Sequence, residues 1–399
     1  MFKKFLLGVS SLCCGLFVSA VLPGCAGRAI TQAPIPIELR GVMIRSGDGV
    51  LESRQAVTEA MQYLADNNFN VVFPVVWENG VTLYKSPVMK SLFGIERDSL
   101  YADRDPLAEL LLEAHTRNIA VIPCFEGGFA VGDANGRIAR AKPQWLARDR
   151  EGKIVVKDGN VWLNALHPEV QEFFLSLVAE LLKTYNVDGV QGSGRFPAQP
   201  IEGGYDSVTQ ATYADVHAGN TPPLDLHEHH WMYWRAVQLS AFTQKLYWRV
   251  KAFKPNAVVC WAPHPYPQGL EEYLQDWRAW ISEDPNGMFY ADIMNPRIFR
   301  YSVDGYKRTL DLQHRDILKI QQKNRYMFPT ILVNEENYLI SEEDLKEAIR
   351  YNRYCGYNGE VFSSYAGLRK GGDKLAKVLR ENFYTTIARR PFATDFLRQ

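Results

Sequence analysis

The residues of this chain that could do chemistry follow short apolar segments. Glu126 directly follows the run 119–125 (IAVIPCF), and Gly127 and Gly128 after it would leave room for a ligand. Residues 191–195 (QGSGR) follow the run 187–190 (VDGV) and offer a hydroxyl and a guanidinium, but no carboxylate. A carboxyl group can act as a general acid or base, so Glu126 is the best candidate acid. The alternative interpretation of Glu126 is an ion-paired loop residue.

The remaining candidates follow other apolar runs. Cleavage of a glycosidic bond ordinarily uses two carboxyl groups that face each other across the bond, one of them protonated. Glu335 is a candidate partner of Glu126, and the two would lie nearly opposite around a ring of strands, a wide separation typical of inverting hydrolases. Side chains suited to stacking on sugars, or to binding their hydroxyls and acidic groups, are Trp77, Tyr84, Ser193, Arg195, His264, Tyr266 and Arg300.

The composition of the 399-residue chain excludes some classes of protein. The chain is 46% hydrophobic and 23% charged, with formal net charge +0 and a pI near 7.1, as expected of a globular protein with a full-sized core. It lacks the basic stripe that nucleic-acid binding needs. Cys124, Cys260 and Cys355 lack the spacing of a disulfide framework or a metal site, and their apolar neighbours predict buried free thiols. The sequence indicates neither a metal nor another cofactor.

The N-terminal segment has the features of a targeting signal. Two lysines precede an apolar run over residues 5–22, and residues 22–25 (LPGC) resemble the lipobox of bacterial lipoproteins. The resemblance implies that residues 1–24 are removed and that Cys25 carries lipid. Residues 25–37 would then tether the protein to a membrane of the bacterial cell envelope, on its periplasmic or outer-membrane face. A transmembrane anchor is the alternative, because a run of this length could span a bilayer.

Between residues 38 and 372, apolar runs alternate with segments of helical periodicity. The runs predict eight strands, at 39–44, 69–76, 119–125, 187–190, 257–261, 288–294, 326–333 and 359–363. Helices are predicted at 55–67, 107–118, 168–185, 231–253, 270–281, 306–323 and 342–354. A last helix, at 373–387, belongs to a C-terminal segment, 373–399, that packs on this domain. The pattern predicts an α/β fold, a (β/α)8 TIM barrel, and a doubly wound open sheet is the alternative.

Long segments follow the second, third and fourth predicted strands. They cover residues 77–105, 126–167 and 191–230 and carry several tryptophans and tyrosines. Segments of this length are usually functional or disordered, and the aromatic residues favour ordered loops that cover a cleft. Because residues that follow the strands of such a barrel face its active-site mouth, the candidates should meet there.

Segments spread over residues 38–370 resemble the glycosyl-hydrolase-like family 10, barrel proteins found often in bacterial envelopes. The matching segments are 40–42 (RGV), 69–86 (FNVVFPVVWENGVTLYKS), 118–129 (NIAVIPCFEGGF), 161–173 (VWLNALHPEVQEF), 185–191 (YNVDGVQ), 273–277 (YLQDW) and 350–368 (RYNRYCGYNGEVFSSYAGL). The resemblance implies a TIM barrel that cleaves or binds polysaccharide.

The chain departs from the family pattern where the family places carboxylates. Ser193 and Gly194 stand where the family has two aspartates, and Ala366 stands where it has a glutamate. Residues 296–300 (PRIFR) stand in place of a Pro-Gln-x-Tyr-Arg pattern. Asp188 matches the family, but its position at the start of a strand predicts a structural role.

Two functions are consistent with this pattern. In one, the barrel is an active glycoside hydrolase that uses Glu126 as acid. In the other, it is a glycan-binding lipoprotein that keeps the cleft and has lost the hydrolytic pair. We favour the second, because serine and glycine can neither attack an anomeric carbon nor stabilise an oxocarbenium ion as carboxylates do. An envelope scaffold that binds a protein partner through the long loops is a third interpretation.

Overall fold

The computed structural model describes residues 34–281, 290–320 and 326–392. The chain from Ile35 onward forms one compact unit. The proposed leader and lipid site, Cys25 included, lie outside the described residues, as do parts of the predicted sixth strand and of the helix predicted at 306–323. Within the described residues, no helix is both long enough and apolar enough to cross a membrane.

Eight parallel strands form the centre of the fold. They are β1 (Leu39–Ile44), β2 (Val71–Pro74), β3 (Ala120–Val121 and Cys124–Phe125), β4 (Gly189–Gly192), β5 (Val258–Trp261), β6 (Ile293–Met294 and Arg297–Ile298), β7 (Tyr326–Met327 and Thr330–Leu332) and β8 (Gly359–Ser363). Each strand pairs with the next one along the chain, and β8 pairs with β1, so the ring closes. The predicted (β/α)8 barrel is confirmed, and the open sheet is excluded.

Three of these strands are interrupted by a proline. Pro123 divides β3, Pro296 divides β6 and Pro329 divides β7, because proline lacks the N–H that a strand ladder uses. The proline carbonyls still accept hydrogen bonds; that of Pro123 accepts from the N–H of Gln191 at 2.8 Å. In β3 the first segment pairs with β2 and the second with β4, so the interruption lies where the strand changes partner.

Helices return the chain along the outside of the barrel. The principal ones are Arg54–Asp66, Pro106–Thr116, Pro168–Thr184, His229–Phe253, Val303–Ile320, Glu342–Tyr354 and Lys374–Asn382. Their starts lie within three residues of the predicted ones. Capping side chains mark several of them; Ser53, Asp105 and Ser341 each accept a hydrogen bond from the first turn. The helix predicted at 270–281 is two short helices, Gln268–Tyr273 and Trp277–Ile281, with Leu274 in the left-handed region between them.

The long segments after β2, β3 and β4 contain regular structure. They form two hairpins, Trp77–Glu78 with Val81–Thr82 and Val156–Lys157 with Asn160–Val161, and the short helices Pro87–Phe93, Arg137–Ala141 and Ser207–Val216. Aromatic residues attach two of these segments to the helix Pro168–Thr184. The rings of Phe93 and Trp145 lie 5.7 and 5.5 Å from that of Phe173, centroid to centroid. These aromatic residues therefore hold the loops onto the barrel.

Short polar side chains tie the strands together at their amino ends. A residue just before one strand accepts a hydrogen bond from a backbone N–H of the preceding strand in three places: Asn70 from Arg40 (2.9 Å), Asp188 from Val121 (2.8 Å) and Asp292 from Val259 (2.8 Å). Asp188 also pairs with His115 at 2.9 Å. It therefore has a structural place in the barrel, as its position in the sequence predicts.

The barrel interior changes from apolar to polar toward the carboxyl ends of the strands. Its apolar part includes Leu39, Met43, Val71, Phe73, Ile122, Val258, Ile293 and Phe328. Above it, the Gln191 amide donates to Asn295 Oδ1 at 3.3 Å, and the Asn295 amide donates to the carbonyl of Phe328 at 2.9 Å. Cys124 and Cys260 are buried free thiols in this region, whereas Cys355 is partly exposed. The polar layer forms the floor of the barrel mouth.

Candidate functional site

A cavity of about 260 Å³ lies at the carboxyl ends of β3 to β6. Its lining consists of Glu126, Asp158, Arg195, His264, Gln268, Arg297, Phe299 and Arg300. Glu126 follows β3, Arg195 follows β4 and His264 follows β5, so consecutive strands deliver these side chains to one place. Asp158 comes from the turn of a hairpin in the segment after β3. The structure thus brings together Glu126, Arg195, His264 and Arg300 of the residues that the sequence singled out.

Glu126 is almost completely buried and makes an ion pair. Its Oε1 accepts a hydrogen bond from Arg297 at 2.9 Å, and only 6% of the residue is exposed. Burial raises the pKa of this carboxyl, but the charges of Arg297, Arg45 and Arg195 outweigh burial, and the net pKa shift is downward. Glu126 is therefore a carboxylate held ionised by arginines, which agrees with the ion-paired interpretation.

A second carboxyl group, that of Glu78, lies next to Glu126. The N–H of Gly127 donates to the carbonyl of Trp77 at 2.8 Å, which places the backbone of Glu78 against that of Gly127. Burial, followed by the charge of Glu126, raises the pKa of Glu78. The two neighbouring glutamates therefore have pKa values shifted in opposite directions, Glu126 downward and Glu78 upward.

Ser193 and Gly194 occupy space that leaves little room for longer side chains. Ser193 is buried; its hydroxyl donates to the backbone carbonyl of Glu126 at 2.9 Å and accepts from the N–H of Arg195 at 3.3 Å. A Cβ atom on Gly194 would lie 2.8 Å from Nε2 of His264. The His264 ring therefore fills the place into which a side chain at position 194 would project. Ser193 joins the β3 and β4 loops and does not line the cavity.

His264 is fixed by stacking and kept neutral. Its ring lies 4.3 Å from that of Tyr273, centroid to centroid, at an interplanar angle of 13°. Its backbone N–H donates to Gln275 Oε1 at 3.1 Å. Burial, and then the charge of Arg297, lowers the pKa of His264 to about 3. At neutral pH the imidazole therefore adds a hydrogen-bonding group to the cavity, but no charge.

The sequence suggested that Gly127 and Gly128 leave room for a ligand, but in the structure they do not. A Cβ atom on Gly127 would lie 2.9 Å from Cα of Glu78, and one on Gly128 would lie 1.9 Å from the carbonyl oxygen of Arg195. Gly128 also has φ of +52°, in the left-handed region. The two glycines instead allow the loops after β2, β3 and β4 to touch one another, and this contact brings Arg195 beside Glu126.

Trp77 and Tyr84 lie in the hydrophobic core and not in the cavity. Trp77 is fully buried; its indole N–H donates to the carbonyl of Gly128 at 2.8 Å, and its ring packs on Phe173 and Phe174. Tyr84 is also buried, and its hydroxyl donates to the carbonyl of Leu177 at 3.1 Å. A sugar cannot stack on either ring, because both rings are buried within the protein. Aromatic residues after a strand were misleading here because loop anchoring uses the same side chains.

Tyr266 and Glu335 also lie away from the cavity. The Arg278 guanidinium sits 4.4 Å above the Tyr266 ring, and the backbone N–H of Tyr266 donates to Gln313. Glu335 is exposed on a small hairpin and accepts a hydrogen bond from the Tyr301 hydroxyl at 3.0 Å. The structure therefore does not set Glu335 opposite Glu126 across one cavity, and the expected inverting pair is absent from the described residues.

The sequence assigned no role to Arg297, Asp158 or Glu78. Arg297 and Glu78 each come just after a predicted strand and were candidates by position, but nothing in the sequence showed that they surround Glu126. Asp158 had no such signal, because it reaches the cavity from within a long insertion. Its carboxylate accepts a hydrogen bond from the Tyr273 hydroxyl at 2.7 Å. Among the described residues, no group of three or more His, Cys, Asp or Glu could hold a metal ion.

Comparison with known proteins gives a family for this architecture. A model of the family described as glycosyl hydrolase-like 10 matches residues 38–320, more than half of the chain. The matched region begins just before β1 and ends with the helix Val303–Ile320, so it contains every residue that lines the cavity. The comparison with curated proteins gave no match.

Solved structures share the fold at low sequence identity. The PgaB (BpsB) glycoside hydrolase domain from Bordetella bronchiseptica aligns with a TM-score of 0.64 at 15% identity, over 86% of this chain and 98% of that one. The catalytic domain of a β-amylase from Paenibacillus polymyxa gives 0.63 at 9%, over 88% and 99%. An α-L-fucosidase from Paenibacillus thiaminolyticus gives 0.62 at 15%, over 86% and 50%. Likeness at these identities establishes the fold alone.

Proposed function

The chain belongs to the glycosyl hydrolase-like 10 family, and from this premise we propose that it binds a polysaccharide without hydrolysing it. The observation that carries the proposal is the state of Glu126. A glycosidase needs one carboxyl that keeps its proton and one that is free to attack or to activate water. Glu126 holds no proton, because three arginines lower its pKa, and it is paired with Arg297 at 2.9 Å.

The other side chains of the cavity support the same conclusion. Asp158, the second carboxylate in the lining, accepts a hydrogen bond from Tyr273. Ser193 is buried against the backbone of Glu126, and His264 fills the space beside Gly194. Positions 193 and 194 therefore supply no nucleophile, while arginine, histidine and glutamine side chains remain to donate hydrogen bonds to a glycan.

The proposal is tested by measuring binding and hydrolysis on the same set of oligosaccharides. We expect saturable binding by the unmodified protein, with no release of reducing ends. A variant that restores the family's carboxylates (Ser193→Asp, Gly194→Asp, Ala366→Glu) needs His264→Ala as well, because the imidazole would otherwise collide with the new side chain. The variant with His264→Ala alone is the matched control. Robust hydrolysis of any of these oligosaccharides by the unmodified protein would overturn the proposal.

An active hydrolase is the second candidate function, and the state of Glu78 favours it. Burial and the neighbouring Glu126 raise the pKa of Glu78, as a proton donor requires, while Glu126 stays ionised. In this candidate Glu78, and not Glu126, is the acid. If hydrolysis is detected, Glu78→Gln should lower its rate strongly, and the residual rate should no longer fall at high pH. Hydrolysis that Glu78→Gln leaves at its full rate would exclude this assignment.

The N-terminal sequence supports a membrane anchor for this barrel. We propose that Cys25 carries lipid and that residues 25–37 tether the barrel to a membrane of the bacterial envelope, which also contains polysaccharides. Labelled palmitate should enter the unmodified protein and not the Cys25→Ser variant, and the unmodified protein should lack residues 1–24. An unmodified protein that keeps residues 1–24 and incorporates no palmitate would support the uncleaved transmembrane anchor instead.

A further inference from the structure

The cavity contains more positive charge than its own carboxylates can neutralise. Three arginines line it, Arg195, Arg297 and Arg300, against two carboxylates, Glu126 and Asp158. His264 adds no charge, as described above. Three positive and two negative groups leave one net positive charge in a cavity of about 260 Å³.

The excess charge resides on two particular guanidinium groups. Arg297 is occupied, because it pairs with Glu126 at 2.9 Å and lies 4.6 Å above the ring of Phe299. Arg300 donates one hydrogen bond, to the backbone carbonyl of Phe299 at 2.7 Å. Within residues 34–281, 290–320 and 326–392, neither Arg195 nor Arg300 forms an ion pair. Both are partly exposed and line the same cavity.

Guanidinium groups without a carboxylate partner select the charge of a ligand. A neutral sugar offers hydroxyls, which gain little from a full positive charge, whereas a carboxylate accepts two parallel hydrogen bonds from an arginine. One net positive charge matches a monoanion, and a dianionic phosphate would exceed it. We propose that the bound glycan carries a monoanionic acidic group, of the kind found in uronic acids, and that Arg195 and Arg300 bind this group. This inference rests on the proposed glycan-binding function.

The test compares oligosaccharides that differ only in this group. Oligogalacturonate, oligoalginate and a glucuronate-containing oligosaccharide are each titrated against the full-length protein, beside their carboxyl-reduced counterparts of equal length. We expect at least one uronate to bind roughly ten- to hundredfold more tightly than its reduced form, with affinity that falls as salt rises. Sulfated oligosaccharides form a further arm, because a sulfate ester is also a monoanion, and tighter binding there would assign the group as sulfate.

Variants tie the preference to the two arginines. Arg195→Gln and Arg300→Gln should each lower the affinity for the acidic glycan roughly ten- to hundredfold. Each should lower the affinity for the reduced glycan by much less, because glutamine still donates hydrogen bonds to hydroxyls. Arg195→Lys should lower the affinity for the acidic glycan by less than Arg195→Gln does, because lysine keeps the positive charge. Some affinity should still be lost, because lysine lacks the planar guanidinium that forms two parallel hydrogen bonds. The matched control is Arg54→Gln, which removes the same charge from an exposed position on the helix Arg54–Asp66 and should change neither affinity. Thermal unfolding verifies that each variant is folded.

The outcomes separate this inference from the function on which it rests. Equal affinity for acidic and reduced glycans, or full affinity in both glutamine variants, overturns the acidic ligand while leaving glycan binding intact. Binding of no glycan of any class overturns the proposed function and, with it, the inference.

Discussion

The neutral state of His264 predicts how stability depends on pH. The pKa of this histidine is lowered to about 3 in the folded protein, by burial and then by Arg297, whereas an unfolded chain has a histidine pKa of about 6.5. Between these two values the unfolded protein binds the proton and the folded protein does not. His264 therefore does not lower the free energy of unfolding above pH 6.5, and lowers it increasingly as the pH falls from 6.5 toward 3.

The size of the effect follows from the pKa difference. Between pH 6.5 and pH 5, an interval of about 1.5 pH units, the imidazole is protonated in the unfolded chain and not in the folded protein. Each pH unit in this interval lowers the free energy of unfolding by about 1.4 kcal/mol, so the total loss is about 2 kcal/mol. In a protein with a total stability of about 5–15 kcal/mol, a change of this size is readily measured. Replacement of His264 by glutamine removes the titrating group, and the loss of ring stacking on Tyr273 shifts the variant equally at both pH values.

Urea unfolding of the unmodified protein and of His264→Gln, each at pH 7 and pH 5, measures the effect as a difference of differences. Other titrating groups cancel, because both proteins contain them. We expect the unmodified protein to lose about 2 kcal/mol more than the variant between the two pH values. Parallel losses in the two proteins would mean that His264 titrates as it does in water, and the description of a neutral, desolvated imidazole would be wrong.

Three other substitutions test the contacts of the barrel mouth and floor. Glu126→Gln should lower the free energy of unfolding by about 3–5 kcal/mol, because Arg297, whose side chain is only 14% exposed, loses its partner, and a loss below 1 kcal/mol in urea unfolding would contradict this. Gly194→Ala should cost about 1–3 kcal/mol because its Cβ meets His264, and a His264→Ala background should remove that cost; equal costs in both backgrounds would exclude the clash. Asp188→Ala should cost about 1–3 kcal/mol without changing glycan binding, and altered binding with unaltered melting would argue against its structural role.

The barrel could be predicted from the sequence because its strands are buried on both faces. The run 257–261 (AVVCW) is a continuous apolar segment, and the structure has the strand Val258–Trp261 within it. The strands predicted at 39–44 and 359–363 have those same bounds in the structure. Capping residues such as Ser341 fixed helix starts in the same local way. The break at Leu274 was missed because leucine is rarely found in the left-handed region, so no local pattern predicts that conformation there.

The site was predicted less well, since strand position says where a side chain begins but not what it meets. Glu126 and Arg195 reach the cavity as expected from their strands. Trp77 also follows a strand, yet its ring lies in the core, where it packs against Phe173 and Phe174 of the helix Pro168–Thr184. The choice between a ligand and a neighbouring helix is made by tertiary packing, so no pattern of spacing could resolve it.

Hydrolysis and recognition of an acidic glycan are opposing demands on this cavity. With three arginines and two carboxylates, the lining attracts an anion; two aspartates at positions 193 and 194 would reverse the net charge and repel one. An aspartate at position 194 would also displace His264, whose ring lies where the new side chain would project. The serine, the glycine, the neutral imidazole and the ion-paired glutamate thus form one consistent arrangement. This arrangement favours the proposed anion-binding site over a hydrolase that has merely lost two residues.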